Sequence, residues 1–332
     1  MTSAQGRPGL DVLIATHGRP GLLARTLDSL SAARLPPTFR RVLVVENGER
    51  TGAEDVCAAR TGRLPLDYLH VPVGNKSKAL NVGVEALEPG LIHFVDDDVR
   101  VAPGGPEAYA DAAGRYGPGH HFGGPVHVDR DDEPPELIRT YLPWSAVGWY
   151  HGEEEQIYDR PYFIGSNWAA YRDEVLAVGG YAEHLGPGVE SGALGDEMEL
   201  QHRLLDTGNH GVYLPAAPVW HHVDDGEWTI EWVRNRLYRM GVTESLLGLN
   251  QEGRGPLIAG ARWGHWKECG VSGLKALIAR LLRLYPPRGV DAEMRFYAAW
   301  GAVVGSRLAR TRGRSAHQIP PARYRRAAAD PS

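Results

Sequence analysis

Short apolar segments alternate with helical patterns over the first hundred residues of the chain. The apolar segments lie at 11–16, 41–46, 66–71 and 91–95, and patterns typical of helices follow the first three of them at 19–30, 51–60 and 77–87. Strands that are apolar along most of their length are typical of parallel sheets covered by helices on both faces. We therefore predict an α/β fold. In such sheets, ligands bind at the carboxyl ends of the strands.

Polar residues stand at the ends of three of these four strands. They are Thr16-His17-Gly18-Arg19 at the end of the first, Glu46-Asn47-Gly48 at the end of the second and Asp96-Asp97-Asp98 at the end of the fourth. Three adjacent carboxylates repel one another, and a hard divalent cation such as Mg²⁺ or Mn²⁺ is a suitable partner for them. A solvated acidic turn is the alternative. Four of the five residues before the triplet are apolar, which favours a buried strand and a ligand site at its end.

Charge and cysteine content argue against several kinds of function. The net charge is −5, so no general attraction to nucleic acid is expected, although seven arginines between Arg307 and Arg326 form a basic tail. We interpret the tail as solvated, with contact to an anionic membrane surface or substrate as the alternative. Cys57 and Cys269 are far apart, which excludes a disulfide framework and fits a cytoplasmic location. No secretory signal or membrane span is indicated.

Six segments occur in an order that resembles the family 2 glycosyltransferases, which have the GT-A fold. The segments, spread over about residues 9–250, are IATHGRPGLLARTLDSL, VLVVENG, GNKSKALNVG, FVDDD, IGSNWAAYRDEVLAVGGY and GDEMELQHRLLDTG. The resemblance implies an inverting transferase that moves a sugar from a UDP, dTDP or GDP sugar to an acceptor hydroxyl or amine, with Mn²⁺ or Mg²⁺. It also implies a catalytic domain at 1–225, with a donor half at about 9–100 and an acceptor half at about 101–225. A helical extension with the basic tail follows at 226–332.

On the donor side, the resemblance assigns the carboxylates and a lysine to the cation and the diphosphate. Asp98 ligates the cation, Asp96 lies beside the cation and the ribose, and Lys76 pairs with the diphosphate. Asp97 lies beside the nucleotide-sugar, with an outward orientation as the alternative. The nucleotide pocket itself is assigned to Thr16, His17 and Arg19, and Glu46 accepts hydrogen bonds from the base or ribose.

A histidine pair after a predicted strand offers a further metal ligand, since imidazole is a common ligand of divalent metals. Side chains alternate along a strand, so only one of His221 and His222 points inward. We prefer His221.

The acidic pair at the start of a predicted helix carries the proton-transfer chemistry in this resemblance. A carboxylate within hydrogen-bond reach of an acceptor hydroxyl can take its proton during attack on the anomeric carbon. The family usually has Glu-Asp, with the second residue as base, whereas here the order is Asp196-Glu197. We prefer Glu197 as the base, with Asp196 as the alternative. Acidic residues also favour a helix N-terminus through the helix dipole, which is compatible with either role.

Asn167 and Trp168 are our candidates for the acceptor side, because an indole ring can stack on the apolar face of a sugar. Core packing is the alternative for Trp168.

Two other functions compete with sugar transfer. A nucleotidyltransferase also uses a strand-end aspartate and Mg²⁺, but the segment ATHGRP lacks the glycine-rich loop expected after the first strand. A non-catalytic module that binds nucleotide-sugars or glycans is disfavoured because every acidic position is filled.

The helical extension contains one amphipathic segment, GLKALIARLLRLY, which starts at Gly273. Its apolar face consists of Leu274, Leu277, Ile278, Leu281 and Leu282. We predict that this face packs against the catalytic domain or a second subunit, with peripheral membrane contact as the less favoured alternative.

Overall fold

A computed structural model of the chain describes residues 6–160, 163–249, 255–284, 286 and 288–311. Contacts between Cα atoms divide the described residues into two units. The first unit is drawn from Met1–Asp131, Trp144–Val189 and Asp196–Val223, and the second from Asp132–Pro143, Glu190–Gly195 and Asp224–Ser332. Most of the predicted basic tail, residues 312–332, lies outside the described residues.

The first unit is built on two sheets. Its strands are β1 (Leu10–Thr16), β2 (Phe39–Asn47), β3 (Leu66–Val71), β4 (Leu91–Val95), β5 (Val99–Val101), β6 (His120–Gly123), β7 (Val126–Val128), β8 (Gln156–Tyr158), β9 (Asn167–Tyr171), β10 (His210–Tyr213) and β11 (Val219–His221). In the described residues, the large sheet has the order β3-β2-β1-β4-β9-β6-β10-β8, and the small sheet has the order β5-β11-β7.

Helices flank the sheets and continue through the second unit. They are α1 (Pro20–Ala32), α2 (Ala53–Ala58), α3 (Lys76–Ala86), α4 (Gly105–Tyr116), α5 (Glu136–Arg139), α6 (Trp144–Val147), α7 (Arg172–Ala177), α8 (Asp196–Asp206), α9 (Ile230–Leu246), α10 (Trp263–Leu281) and α11 (Val290–Thr311). A short 3₁₀ helix, Asp225–Trp228, precedes α9, and a small hairpin, Leu257–Ile258 with Ala261–Arg262, precedes α10.

Side chains of β1 alternate between two apolar cores, one on each face of the large sheet. Leu13 faces the core that contains Leu80 of α3, and Ile14 faces the core that contains Leu23 of α1. Full burial of each such leucine stabilises the fold by about 2 kcal/mol. Gly83 of α3 lets that helix approach the sheet closely, since a Cβ there would lie 2.4 Å from Leu13 Cδ1. The predicted α/β arrangement, with helices on both faces, is therefore observed.

Strand directions place the polar strand ends along one edge. Strands β3, β2, β1 and β4 are mutually parallel, so their carboxyl ends meet there. Strand β9 is antiparallel to both β4 and β6, so the sheet is mixed beyond β4. The antiparallel strand β9 carries Asn167 and Trp168 alongside the end of β4.

The second unit is mainly helical, and small residues let two of its helices approach closely. A Cβ on Gly241 of α9 would lie 2.1 Å from the Ala298 carbonyl oxygen of α11, and one on Gly301 would lie 1.9 Å from the Tyr238 carbonyl oxygen. Substitution at either glycine therefore forces the helix backbones apart. None of the helices in the described part of the chain combines the length and the hydrophobicity that a membrane span requires.

The orientation of α10 differs from the prediction. Leu274, Leu277, Ile278, Leu281 and Leu282 are all exposed. The residues of α10 that pack inward are smaller, and Cys269 is in contact with the cluster formed by Ala299 and Val303 of α11. The leucine face therefore does not pack within the chain as predicted, and packing against a second subunit stays a prediction.

Candidate active site

Three aspartates at the end of β4 receive hydrogen bonds from side chains of the neighbouring strand ends and of α3. Arg19 donates to Asp97 and, over 2.7 Å, to Asp98 Oδ2. Lys76 Nζ at the start of α3 donates to Asp96 Oδ1 over 2.5 Å. Two basic side chains therefore offset much of the negative charge of the triplet.

The same contacts control the ionisation of these carboxylates. Burial raises the pKa of Asp97 to about 6, although Arg19 beside it favours the ionised form. Thr16 Oγ1 also donates to Asp97 Oδ2 over 2.5 Å. Burial acts in the same direction on Asp96, but Lys76, with smaller contributions from His221 and Arg19, outweighs it and holds the pKa of Asp96 below its usual value. Both cations are held strongly protonated in return, because burial lowers the pKa of Arg19 and Lys76 less than the aspartates raise it.

Asp98 and His221 each place one potential metal-ligand atom close to the other. His221 Nε2 lies 3.4 Å from Asp98 Oδ1, and this carboxylate oxygen is buried without a hydrogen-bond donor among the described residues. Two ligands of one cation at about 2.1 Å each must lie within about 4.2 Å of one another, so this pair fits a divalent ion. No group of three or more His, Cys, Asp or Glu side chains in the described residues could hold a metal. The pair is therefore suited to a cation that takes further ligands from a bound phosphate.

The small sheet positions His221. Strand β11 pairs with β5 so that His221 lies opposite Val99, the residue that follows Asp98. The backbone N–H of His222 donates to the Asp98 carbonyl oxygen over 2.8 Å. Alternation along the strand then directs the His221 ring towards the Asp98 carboxylate.

A second acidic cluster lies at the start of α8. Asp196 is buried and Glu197 is half-buried. Burial and the neighbouring charge of Asp196 raise the pKa of Glu197 to about 7, and the Lys76 ammonium acts in the opposite direction. Lys76 therefore faces Asp96 of the first cluster and both acids of the second. A group that titrates near neutral pH is suited to general base catalysis.

A turn that the sequence analysis missed holds the second cluster in place. Ser77 Oγ donates to the Leu185 carbonyl oxygen over 2.8 Å and lies 3.4 Å from Asp196 Oδ2. Gly186 has a φ of +94°, and a Cβ there would lie 2.8 Å from Asp196 Cγ. The available signal was the segment Gly186-Pro187-Gly188, a composition typical of a tight turn.

Other predicted donor-side residues are found at the same sheet edge. His17 is exposed at the end of β1, where its Nδ1 lies 2.6 Å from the Asn47 carbonyl oxygen. Thr16 is buried beside Asp97.

The carboxylate of Glu46 is hydrogen-bonded to donors from the protein itself. Glu46 is fully buried, and its carboxylate accepts hydrogen bonds from Thr51 N at 2.6 Å, Thr51 Oγ1 at 2.8 Å and the Tyr68 hydroxyl at 2.6 Å. The prediction that Glu46 receives hydrogen bonds from the base or ribose is therefore wrong for this structure. Its role is to hold the segment after β2 against β3.

The two predicted acceptor-side residues belong to the core. Trp168 is fully buried and stacks on Phe94, with ring centroids 4.8 Å apart. Asn167 is also fully buried, and its amide nitrogen donates to the carbonyl oxygens of Pro125 and Ala217 at 3.0 and 2.8 Å. Neither side chain can contact an acceptor, so this prediction is wrong and the core alternative for Trp168 is correct.

Comparisons with known proteins bear on the family and the fold of the chain. The family model described as glycosyltransferase-like family 2 matches residues 8–239. A mannosyltransferase from Pyrobaculum calidifontis, solved with GDP-Man and Mn²⁺, is 17% identical with a TM-score of 0.57, over 91% of this chain and 88% of that chain.

A second solved structure, GalNAc-T7 with UDP, GalNAc and Mn²⁺, is 12% identical with a TM-score of 0.51, over 72% of this chain and 52% of that chain. No curated protein gives a significant match. The predicted α/β fold with a mostly parallel sheet, flanking helices and C-terminal helices is confirmed.

Proposed function

The chain belongs to glycosyltransferase-like family 2 and is a glycosyltransferase, and we propose that it transfers a sugar from a nucleoside-diphosphate sugar to an acceptor hydroxyl or amine, with inversion and with a divalent cation. One observation carries the proposal. Lys76 lies between the strand-end aspartates and the Asp196-Glu197 pair, so a single cationic side chain faces both acidic clusters. Inverting sugar transfer needs a base for the acceptor on one face of the anomeric carbon and a cationic partner for the leaving diphosphate on the other, so both kinds of group must belong to one site.

In the proposed reaction, the acceptor oxygen or nitrogen attacks the anomeric carbon from the face opposite the diphosphate. The bond between the anomeric carbon and the diphosphate oxygen breaks, and its electron pair leaves with the diphosphate. Glu197 takes the proton from the acceptor, which its raised pKa favours. Lys76 stabilises the negative charge that grows on the leaving group.

Asp98 and His221 would hold the divalent cation, with the 3.4 Å separation of their ligand atoms as support. Such a cation supplies Lewis-acid stabilisation of a diphosphate when bound. Asp96, Asp97, Thr16, His17 and Arg19 complete the proposed donor side. The two solved structures described above contain Mn²⁺ with GDP-Man or UDP, which supports a GDP or UDP sugar as the donor. A dTDP sugar is the third donor class that the family resemblance implies.

A donor panel tests this function. The protein is incubated with UDP, dTDP and GDP sugars labelled in the sugar, with Mn²⁺ or Mg²⁺, and released sugar is measured in the absence of an acceptor. We expect slow metal-dependent hydrolysis of one donor class, since water can replace a missing acceptor. Glu197→Gln is the control, and it should bind that donor without releasing sugar.

The competing functions predict different products. A nucleotidyltransferase would instead form a nucleotide-sugar from a nucleoside triphosphate and a sugar phosphate, with release of pyrophosphate. A binding module would retain the donor intact with every candidate acceptor. Either result would replace the proposed function.

A further inference from the structure

Helix α10 of the second unit has two faces of different composition. One face is buried and consists of small or polar residues, which are His265, Cys269, Ser272, Ala276 and Ala279. The opposite face is exposed and carries large apolar side chains, which are Trp263, Val271, Leu274, Leu277, Ile278 and Leu281. The helix therefore does not need its bulky face in order to pack within its own unit.

The exposed face is a continuous strip. Leu274 is 58% exposed and Leu281 is 72% exposed, and Leu282 and Leu284 extend the strip beyond the end of the helix. Single exposed apolar residues are normal on protein surfaces, whereas a contiguous apolar patch marks a binding surface. We refer to the exposed face from Trp263 to Leu284 as the α10 strip.

The charges around the α10 strip are almost all positive. Between residues 263 and 288 the chain has five basic residues and one acidic residue, Glu268, although its overall net charge is −5. The basic residues are Lys267, Lys275, Arg280, Arg283 and Arg288. Arg280 is paired with Glu293, which still leaves a clear excess of positive charge around the strip. This combination is complementary to a surface that is both apolar and anionic.

A second copy of the chain fits this strip less well. Seven residues make about two helical turns, so Lys267, Leu274 and Leu281 lie on one line along the helix. In a symmetric pair of helices, the excess positive charge of one strip would face the same excess positive charge of the other. At a lipid surface, by contrast, a lysine can extend its ammonium group towards the headgroups while its alkyl chain stays among the apolar side chains.

We propose that the α10 strip binds an anionic lipid surface, with the helix axis in the plane of the interface. The leucines and Ile278 insert below the headgroups, Trp263 lies at the boundary, and the basic residues contact anionic headgroups. This surface belongs to the second unit and does not depend on sugar transfer. The active-site unit would thereby be held at a membrane, where an acceptor carried on a lipid is accessible.

Vesicle flotation tests the proposal without any donor. Full-length protein is mixed with vesicles of phosphatidylcholine and phosphatidylglycerol or with vesicles of phosphatidylcholine alone. We expect binding to the anionic vesicles, weakened by salt. The double variant L274Q/L281Q should lose at least about tenfold in partitioning, since it removes two of the inserted side chains. K267E/K275E should lose about tenfold or more on anionic vesicles only.

Ile157→Gln is the matched control, because Ile157 of β8 in the first unit is also 58% exposed. It should bind vesicles like the unaltered protein, and unchanged circular dichroism in all variants shows that they fold. Equal binding of L274Q/L281Q and the unaltered protein would overturn the proposal. So would a dimer in sedimentation equilibrium that L274Q/L281Q dissociates, combined with no vesicle binding, since the strip would then join two copies of the chain.

Discussion

The two acidic clusters of the candidate active site contain similar side chains in different electrostatic surroundings. Asp96 forms a close ion pair with Lys76, and its pKa lies below the usual value despite burial. Burial and the charge of Asp196 act on Glu197 more strongly than the Lys76 ammonium does, and the pKa of Glu197 rises to about 7. For these two buried carboxylates, the sign of the neighbouring charge decides whether the pKa ends below or above its usual value.

This difference in pKa suits the two clusters to two different tasks, cation binding and proton transfer. Carboxylates that stay ionised suit the binding of a cation, whereas one that titrates near pH 7 suits proton transfer. Because Lys76 faces both clusters, it couples the two tasks. The predictions below test whether the clusters are separate in function as well as in charge.

The largest effect is expected at the proposed metal pair. Asp98→Ala should lower kcat/KM by at least about a thousandfold, because it removes the carboxylate that would hold the cation beside the diphosphate. Isothermal titration should also show that Mn²⁺ no longer strengthens binding of the nucleoside diphosphate. The control is Asp67→Ala, at an exposed acid on β3. Full activity of Asp98→Ala in excess chelator would end the metal hypothesis.

At the second cluster, Glu197→Gln should lower kcat by about 100-fold to 10,000-fold, because the amide cannot accept the proton. The donor KM should change little, since the side chain acts on the acceptor. Asp196→Asn is the matched variant in the same helix turn. If Asp196→Asn abolishes turnover and Glu197→Gln retains it, the roles of the two acids are reversed.

Lys76→Met tests the coupling between the clusters. Activity should fall by about 100-fold, because the leaving diphosphate loses a cationic partner. The pKa of Glu197 should also rise above about 7, since the Lys76 charge favours the ionised form of Glu197. The measurement is kcat/KM against pH for both proteins. A lower activity with an unshifted pH profile would show that Lys76 serves the donor side alone.

The pH profile of the unaltered enzyme should show the base directly. Glu197 must be ionised to accept a proton, so kcat/KM should rise with pH, level off above about pH 7 and fall about tenfold per unit well below it. Replacing Glu197 with Gln should remove this fall in kcat/KM at low pH, the acidic limb of the profile. A limb that persists in the Glu197→Gln variant would belong to another group.

The parts of the site that sequence reasoning predicted correctly share one property: each depends on residues close together in the chain. The pattern of β1 to β4 follows from short apolar segments, and the position of Asp96 to Asp98 follows from the strand before them. The misassigned residues depend on distant contacts. Trp168 is buried because β9 inserts beside β4, and nothing within the local segment reveals that pairing.

The α10 strip was misassigned for a related reason. An amphipathic pattern identifies an apolar face but not what covers it, and here the small residues of the other face make the packing contact with α11. For Glu46 the error is of another kind. Its place at the end of β2 was predicted correctly, but its hydrogen-bond partners were not. Tyr68 lies on β3 and becomes a neighbour of Glu46 only when β2 and β3 pair.

The smallest predicted effect concerns Glu46, a third carboxylate whose neighbours are hydrogen-bond donors rather than cations. Burial alone would raise its pKa, but the bonds from Tyr68 and Thr51 outweigh burial and lower it. A lowered pKa stabilises the fold at neutral pH, and this contribution is lost as the pH falls through the acid range. Glu46→Gln should therefore lower the free energy of unfolding by about 1–3 kcal/mol near pH 7, with a smaller difference at acid pH. The donor KM should stay the same, whereas a large rise in KM with unchanged stability would show that Glu46 contacts the nucleotide after all.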